Sequence, residues 1–147
     1  MSARRAVVAA LLAVVLTGSL SACSGGSVSL TAGPTAAAVP AAGASLSPAD
    51  FAAATKVAGT VLLDVRTPAE FTQGHLPGAV NLDVESAGFV AGLASLDKTA
   101  PYAVYCRSGN RSKVALTAMA QAGFGTAFDL AGGISAWKSA GGEVVTG

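Results

Sequence analysis

The chain has 147 residues, 12% of them charged and 52% hydrophobic, with a formal net charge of +1. That length is the size of one domain, and the composition is too apolar for a disordered chain. Charge is too sparse for nucleic-acid binding, which needs a dense basic patch, and two cysteines with one histidine fill neither a disulfide framework nor a four-ligand zinc site.

At the N-terminus, Arg4 and Arg5 precede the uninterrupted apolar run Ala6 to Leu16, which reads as a signal peptide over residues 1–22. As a helix the run rises about 17 Å, too little to span a hydrocarbon core of about 30 Å. Leu20-Ser21-Ala22-Cys23 resembles the bacterial lipobox. That resemblance implies cleavage before Cys23 and a lipid on its thiol, anchoring the protein to the outer face of the bacterial cell membrane or a periplasm-facing membrane. The plainer alternative is an ordinary secretory signal with an incidental cysteine near the cut. Two of the nine basic residues leave with the segment, against eight acidic ones, so the mature chain is close to neutral. Nothing in residues 24–45, built of Ser, Gly, Thr, Ala, Val, Leu and Pro without charge or aromatics, can form a core. Residues 23–45 therefore read as a lipidated cysteine and flexible tether, with an r.m.s. reach on the order of 25 Å.

Residues 46–147 hold the folded domain. Ser47-Pro48-Ala49-Asp50 signals a helix start, with an N-cap serine and proline at the first helical position, and the helix continues through Phe51 to Thr55. Val61 to Val65 is a buried strand between Gly59-Thr60 and Thr67-Pro68. Thr67-Pro68-Ala69-Glu70 repeats the capping pattern and opens a short helix through Phe71. The turn Gly74 to Gly78 leads to a second strand, Ala79 to Leu82. Apolar residues at 89, 90, 93 and 96 have helical spacing. Tyr102 to Tyr105 is a third strand, and Ser112 to Ala122 a helix with Val114, Ala115, Ala118, Met119 and Ala122 on one face and Gly123 as its C-cap. Ala127 to Leu130 is a fourth strand and Ile134 to Lys138 a terminal helical turn. Such alternation predicts an α/β fold, a small parallel sheet of four to five strands with helices on both faces.

The third strand runs into Cys106-Arg107-Ser108-Gly109-Asn110-Arg111-Ser112, where the next helix begins. In open α/β sheets ligands bind beyond the carboxyl ends of strands. A tight loop closing onto a helix N-terminus turns N–H groups inward as an anion cradle, and Gly109 supplies the freedom the turn needs. Arg107 and Arg111 add two cations, and no acid lies within the loop. A cysteine at a helix N-terminus beside cations is held as a nucleophilic thiolate. A buried structural cysteine is the alternative reading.

Five motifs in order make the chain resemble the rhodanese family of sulfurtransferases from Leu46 to Trp137. They are Leu63-Asp64-Val65-Arg66, Glu70-Phe71, Gly74-His75-Leu76-Pro77-Gly78-Ala79-Val80-Asn81, the loop 106–112, and Leu130-Ala131-Gly132-Gly133-Ile134-Ser135-Ala136-Trp137. The resemblance implies a Cys106 nucleophile that takes sulfane sulfur from a small anionic donor such as thiosulfate, releases sulfite and passes the sulfur from a persulfide to a thiol, cyanide or protein acceptor. It also implies that Arg107, Ser108, Gly109, Asn110, Arg111 and Ser112 bind the substrate. In this family a four-residue gap between cysteine and arginine, as between Cys106 and Arg111, suits sulfur transfer, whereas phosphatase relatives have five.

Asp64, Arg66, Glu70 and His75 are supporting candidates. The expectation is that Asp64 ties down nearby N–H groups, Arg66 pairs with Glu70, and His75 serves the turn rather than the chemistry. Trp137 closes the core with Ile134, while Tyr102 and Tyr105 pack. Gly132-Gly133 has a turn role, since it lacks the context of a nucleotide fingerprint. No cofactor, metal or nucleic acid is expected, and the protein is read as a monomer. Two other functions remain open: a rhodanese-fold module that binds anions or sulfane sulfur with little turnover, and a phosphatase-like enzyme.

Overall fold

The computed structural model describes residues 38–147. The expected signal segment, Cys23 with its lipid, and the tether as far as residue 37 lie outside them. Strands are β1 (Ser45–Leu46), β2 (Val61–Asp64), β3 (Val80–Asn81), β4 (Pro101–Tyr105) and β5 (Thr126–Leu130). Helices are α1 (Pro48–Ala54), α2 (Pro68–Gln73), α3 (Phe89–Ala94), α4 (Asn110–Gln121) and α5 (Gly133–Ser139). All four strand pairings are parallel, in the order β1-β5-β4-β2-β3, and each helix lies in a crossover or after the last strand.

Local chemistry starts the first two helices as the sequence predicts. The Ser47 hydroxyl accepts from Asp50 N–H, and Thr67 and Glu70 form a reciprocal capping box with Pro68 at the first helical position. Strand alternation then sorts the core into two layers. Tyr102, Val104 and Cys106 face the side of Phe89, Leu93, Ala115 and Met119, beneath α3 and α4. Ala103 and Tyr105 face Phe51, Phe128, Leu130 and Ile134, beneath α1 and α5. Trp137 meets Phe51 edge-on at 6.3 Å and packs against the layer containing Ile134, as expected.

Three local readings need correction. Strand β1 was missed: Ser45, assigned to the tether, pairs with Asp129, and Gly43 N–H already donates to Ala127 O at 2.7 Å. The edge of β5 imposes extended structure there on residues with no strand preference of their own. Val90 and Val114, expected on inward helix faces, are 74% and 60% exposed. The buried stripe of α4 centres on Ser112, Ala115 and Met119, and Val114 stands about 100° off Ala115. Finally, α4 starts two residues before Ser112, because Gly109 is its N-cap at φ +100°, which draws Asn110, Arg111 and Ser112 into the first turn.

Candidate active site

The connection after β2 leads outward to β3, and the one after β4 leads to β5 on the other side, so the strand order reverses between β2 and β4. This switch point is where a parallel sheet offers a crevice at its carboxyl edge. Arg66 ends one side of it and Cys106 the other, their strands registered Asp64 against Tyr105. Asn81 secures the rim by donating its amide to Asp64 O at 3.0 Å and Arg66 O at 2.8 Å.

Cys106 is 1% exposed, and its Sγ accepts the Gly109 N–H at 3.1 Å. Gly109 reaches that position only with a positive φ, a conformation that costs any residue with a Cβ. The first-turn N–H groups of α4 lack intrahelical acceptors and give this end of the helix a positive field. Ser112 Oγ lies 3.8 Å from Sγ and donates to Asp129 Oδ2 at 2.7 Å, with Gly109 O a longer alternative at 3.0 Å. Asp129 is 1% exposed, and its Oδ1 is the one buried side-chain polar atom without a partner among the described residues. On the other side of the loop, Ile134 N–H donates to Cys106 O at 2.9 Å and Ser135 N–H to Arg107 O at 3.2 Å. Gly133 is required there because a Cβ would collide with Cys106 O and the Arg107 carbonyl.

The arginines are arranged differently from expectation. Arg66 pairs with Asp64, not Glu70: its Nε donates to Asp64 Oδ1 at 2.9 Å and its Nη2 to Gly74 O at 2.7 Å. Residues two apart at a strand end project to the same side, so this pair is local. Asp64 also accepts Arg66 N–H, as expected. Burial is the largest single influence and opposes the Arg66 charge, but the hydrogen bond to Asp64 together with the attraction of Asp64, Tyr105 and Glu70 outweighs it, and the net shift is upward. Burial pushes the Tyr105 hydroxyl well above its usual range, with the Asp64 carboxylate adding to the effect, while Tyr105 Oη accepts Leu76 N–H at 3.0 Å.

Glu70 meets Arg111 instead. Both Nη atoms of Arg111 donate to Glu70, each at 2.8 Å, and Nη1 also reaches Glu85 at 2.9 Å. The loop itself carries no acid, but α2 and the turn before α3 bring two to it. The Arg111 hydrogen bonds hold the Glu70 carboxyl down to about 2, aided by the N–H and hydroxyl of Thr67, and Glu70 in turn raises Arg111. Expected as an anion ligand, Arg111 is thus committed to two carboxylates. Arg107, Ser108 and Asn110 are exposed along the loop.

His75 stacks on Phe71 at 3.7 Å, bonds Phe71 O through Nδ1 at 3.0 Å and exchanges backbone hydrogen bonds with Val145, which supports the turn role. Sequence reasoning missed Asp129 and Glu85. Asp129 was detectable as the one charged residue in an apolar strand; Glu85 carried no local signal.

The geometry gathers a buried thiol, a helix N-terminus and a ring of paired charges at one crevice, a setting for nucleophilic chemistry on an anion. The Rhodanese-like domain family matches residues 47–140. Relatives include a protein named thiosulfate sulfurtransferase GlpE from Pseudomonas syringae, 36% identical over 92 residues, covering 63% of this chain and 85% of the relative. A protein named sulfurtransferase from Allochromatium vinosum is 38% identical over 85 residues, covering 58% and 78%. Among solved structures, a rhodanese-related protein from Thermoplasma volcanium aligns with a TM-score of 0.62 at 30% identity, covering 71% of this chain and 99% of that one. The chain belongs to the family of rhodanese-like domains.

Proposed function

We propose that this protein transfers sulfane sulfur through a persulfide on Cys106, and that Cys23 anchors it by a lipid to the outer face of a bacterial membrane. The observation that carries the first part is the placement of Cys106 Sγ at the end of the central strand, under the Gly109 N–H and against the first turn of α4. The sulfurtransferase names of the relatives support the same reaction.

The Cys106 thiolate attacks the outer sulfur of thiosulfate, a sulfur–sulfur bond forms, the donor's own sulfur–sulfur bond breaks, and sulfite leaves with its electron pair. No proton is needed by the leaving group. The Gly109 N–H and the field of α4 stabilise the persulfide anion. Arg107 meets the donor's sulfonate, while Arg111 shapes the loop from its seat between Glu70 and Glu85.

Mass spectrometry of the protein after thiosulfate treatment tests this. A gain of one sulfur on Cys106, reversed by cyanide and matched by sulfite release, is the expected result. Retained transfer in Cys106→Ser would overturn it. The burial of Sγ favours a second reading, a binding module with little turnover, and a folded, thiol-reactive protein that takes no sulfur would select that one. The anchor is tested by Cys23→Ala, which should release the protein from membranes.

A further inference from the structure

A cleft of about 360 Å³ borders the active-site loop at Arg107, the residue after the nucleophile, with Arg66, Glu70, Gln73, Ser135 and Lys138 also in its lining. Sites for organic ligands run from about 300 to 1,000 Å³, and thiosulfate or cyanide would fill only a small part of this one. Four of those side chains are charged, and their pairings divide them. Arg66 is neutralised by Asp64, while Glu70 shares Arg111 with Glu85, so that cluster keeps one negative charge. Arg107 and Lys138 form no ion pair among the described residues. The two unpaired cations, one directly after Cys106 and one in the last turn of α5, outnumber that single negative charge and leave the cleft net positive. Their elements are fixed together by the hydrogen bonds from Ile134 and Ser135 to the loop carbonyls. Gln73 and Ser135 add neutral hydrogen-bonding groups.

We propose that this cleft seats the sulfur acceptor, a small thiol bearing carboxylates, and that Lys138 is a specificity-determining residue beside Arg107. The inference rests on the sulfur-transfer reading and names its second substrate. The acceptor thiolate attacks the outer sulfur of the Cys106 persulfide, the persulfide bond breaks, Cys106 leaves as thiolate, and the acceptor departs as its own persulfide. The net positive charge disfavours a cationic thiol, and the volume leaves room for a molecule of several carbons.

The test separates binding from turnover. In the full chain, 2-(methylthio)succinate, a dicarboxylate that cannot accept sulfur, is titrated by calorimetry against 2-(methylthio)ethylamine. The dicarboxylate should bind, with affinity falling about tenfold in Lys138→Glu and recovering in Lys138→Arg, and the amine should not. Equal affinity in the native and Lys138→Glu proteins, or preference for the amine, overturns the inference. In turnover, the kcat/KM ratio of mercaptosuccinate to 2-mercaptoethanol should drop in Lys138→Glu, through KM. If persulfide forms and that ratio does not move, the acceptor assignment falls alone. If no persulfide forms while the dicarboxylate still binds through Lys138, the sulfur-transfer reading falls and the anion cleft stands.

Discussion

Glu70 caps the helix it starts and, with the same carboxylate, grips Arg111 in the first turn of α4, forty-one residues further along the chain. One side chain thus ties the helix after β2 to the helix after the nucleophile. The rim of the crevice is held by ion pairs on both sides, Arg66 with Asp64 and Arg111 with Glu70 and Glu85.

This pairing has a pH signature. The folded-state carboxyl of Glu70 lies at about 2, below the ordinary 4.5. Its stabilising contribution is complete above the ordinary value and is lost as pH falls through 4.5 toward 2, because the unfolded chain binds the proton first. Thermal melts from pH 7 to 2 should show less acid loss in Glu70→Gln than in the native protein. That variant should also be less stable at pH 7, by about 1 kcal/mol.

Asp64 and Arg66 form the buried pair of the site, with side chains 0% and 6% exposed. Removing one partner leaves an uncompensated charge, so Asp64→Ala should cost about 3–5 kcal/mol, measured by urea unfolding. A double variant, Asp64→Ala with Arg66→Met, should recover part of the loss.

Among the described residues Ser112 is the sole partner of the Asp129 carboxylate. Ser112→Ala should therefore cost about 1–3 kcal/mol, more than truncation of a serine alone. A double-mutant cycle with Asp129→Leu is the measurement, and it should return a coupling energy of the same sign and size, because the double variant leaves no carboxylate buried.

Gly133→Ala places a methyl against the carbonyls of Cys106 and Arg107 at a backbone φ of +58°. The conformational part alone costs about 1–2 kcal/mol. The larger effect should fall on chemistry: persulfide formation by the folded variant, followed by mass, should slow by at least about tenfold, since an ångström-scale displacement of a reacting group costs up to about a hundredfold.

Much of this architecture was legible because it is local. Ser47-Pro48 and Thr67-Pro68-Ala69-Glu70 carry their helix starts in their own hydrogen bonds, and the apolar runs at 61–65 and 102–105 read as buried strands. The loop 106–112 was legible for the same reason: strand, tight turn and helix are consecutive. What escaped depends on partners distant in sequence. Ser45 becomes a strand only beside Asp129, Glu70 chooses Arg111 over the nearer Arg66, and Asp129 has meaning only when Ser112 is set above it. Arg66 went to Asp64 because strand geometry brings them together without help.

The pairing of β1 with β5 joins the first described strand to the last, Ser45 against Asp129. Loop-closure entropy for such a contact is met only when nearly the whole domain has been made. A nascent chain that ends before Thr126 has its central strand open on one edge and β1 with nothing to lie against. The domain therefore completes itself only after its last strand has emerged, and until then a ribosome-bound chain holds an unfinished sheet edge.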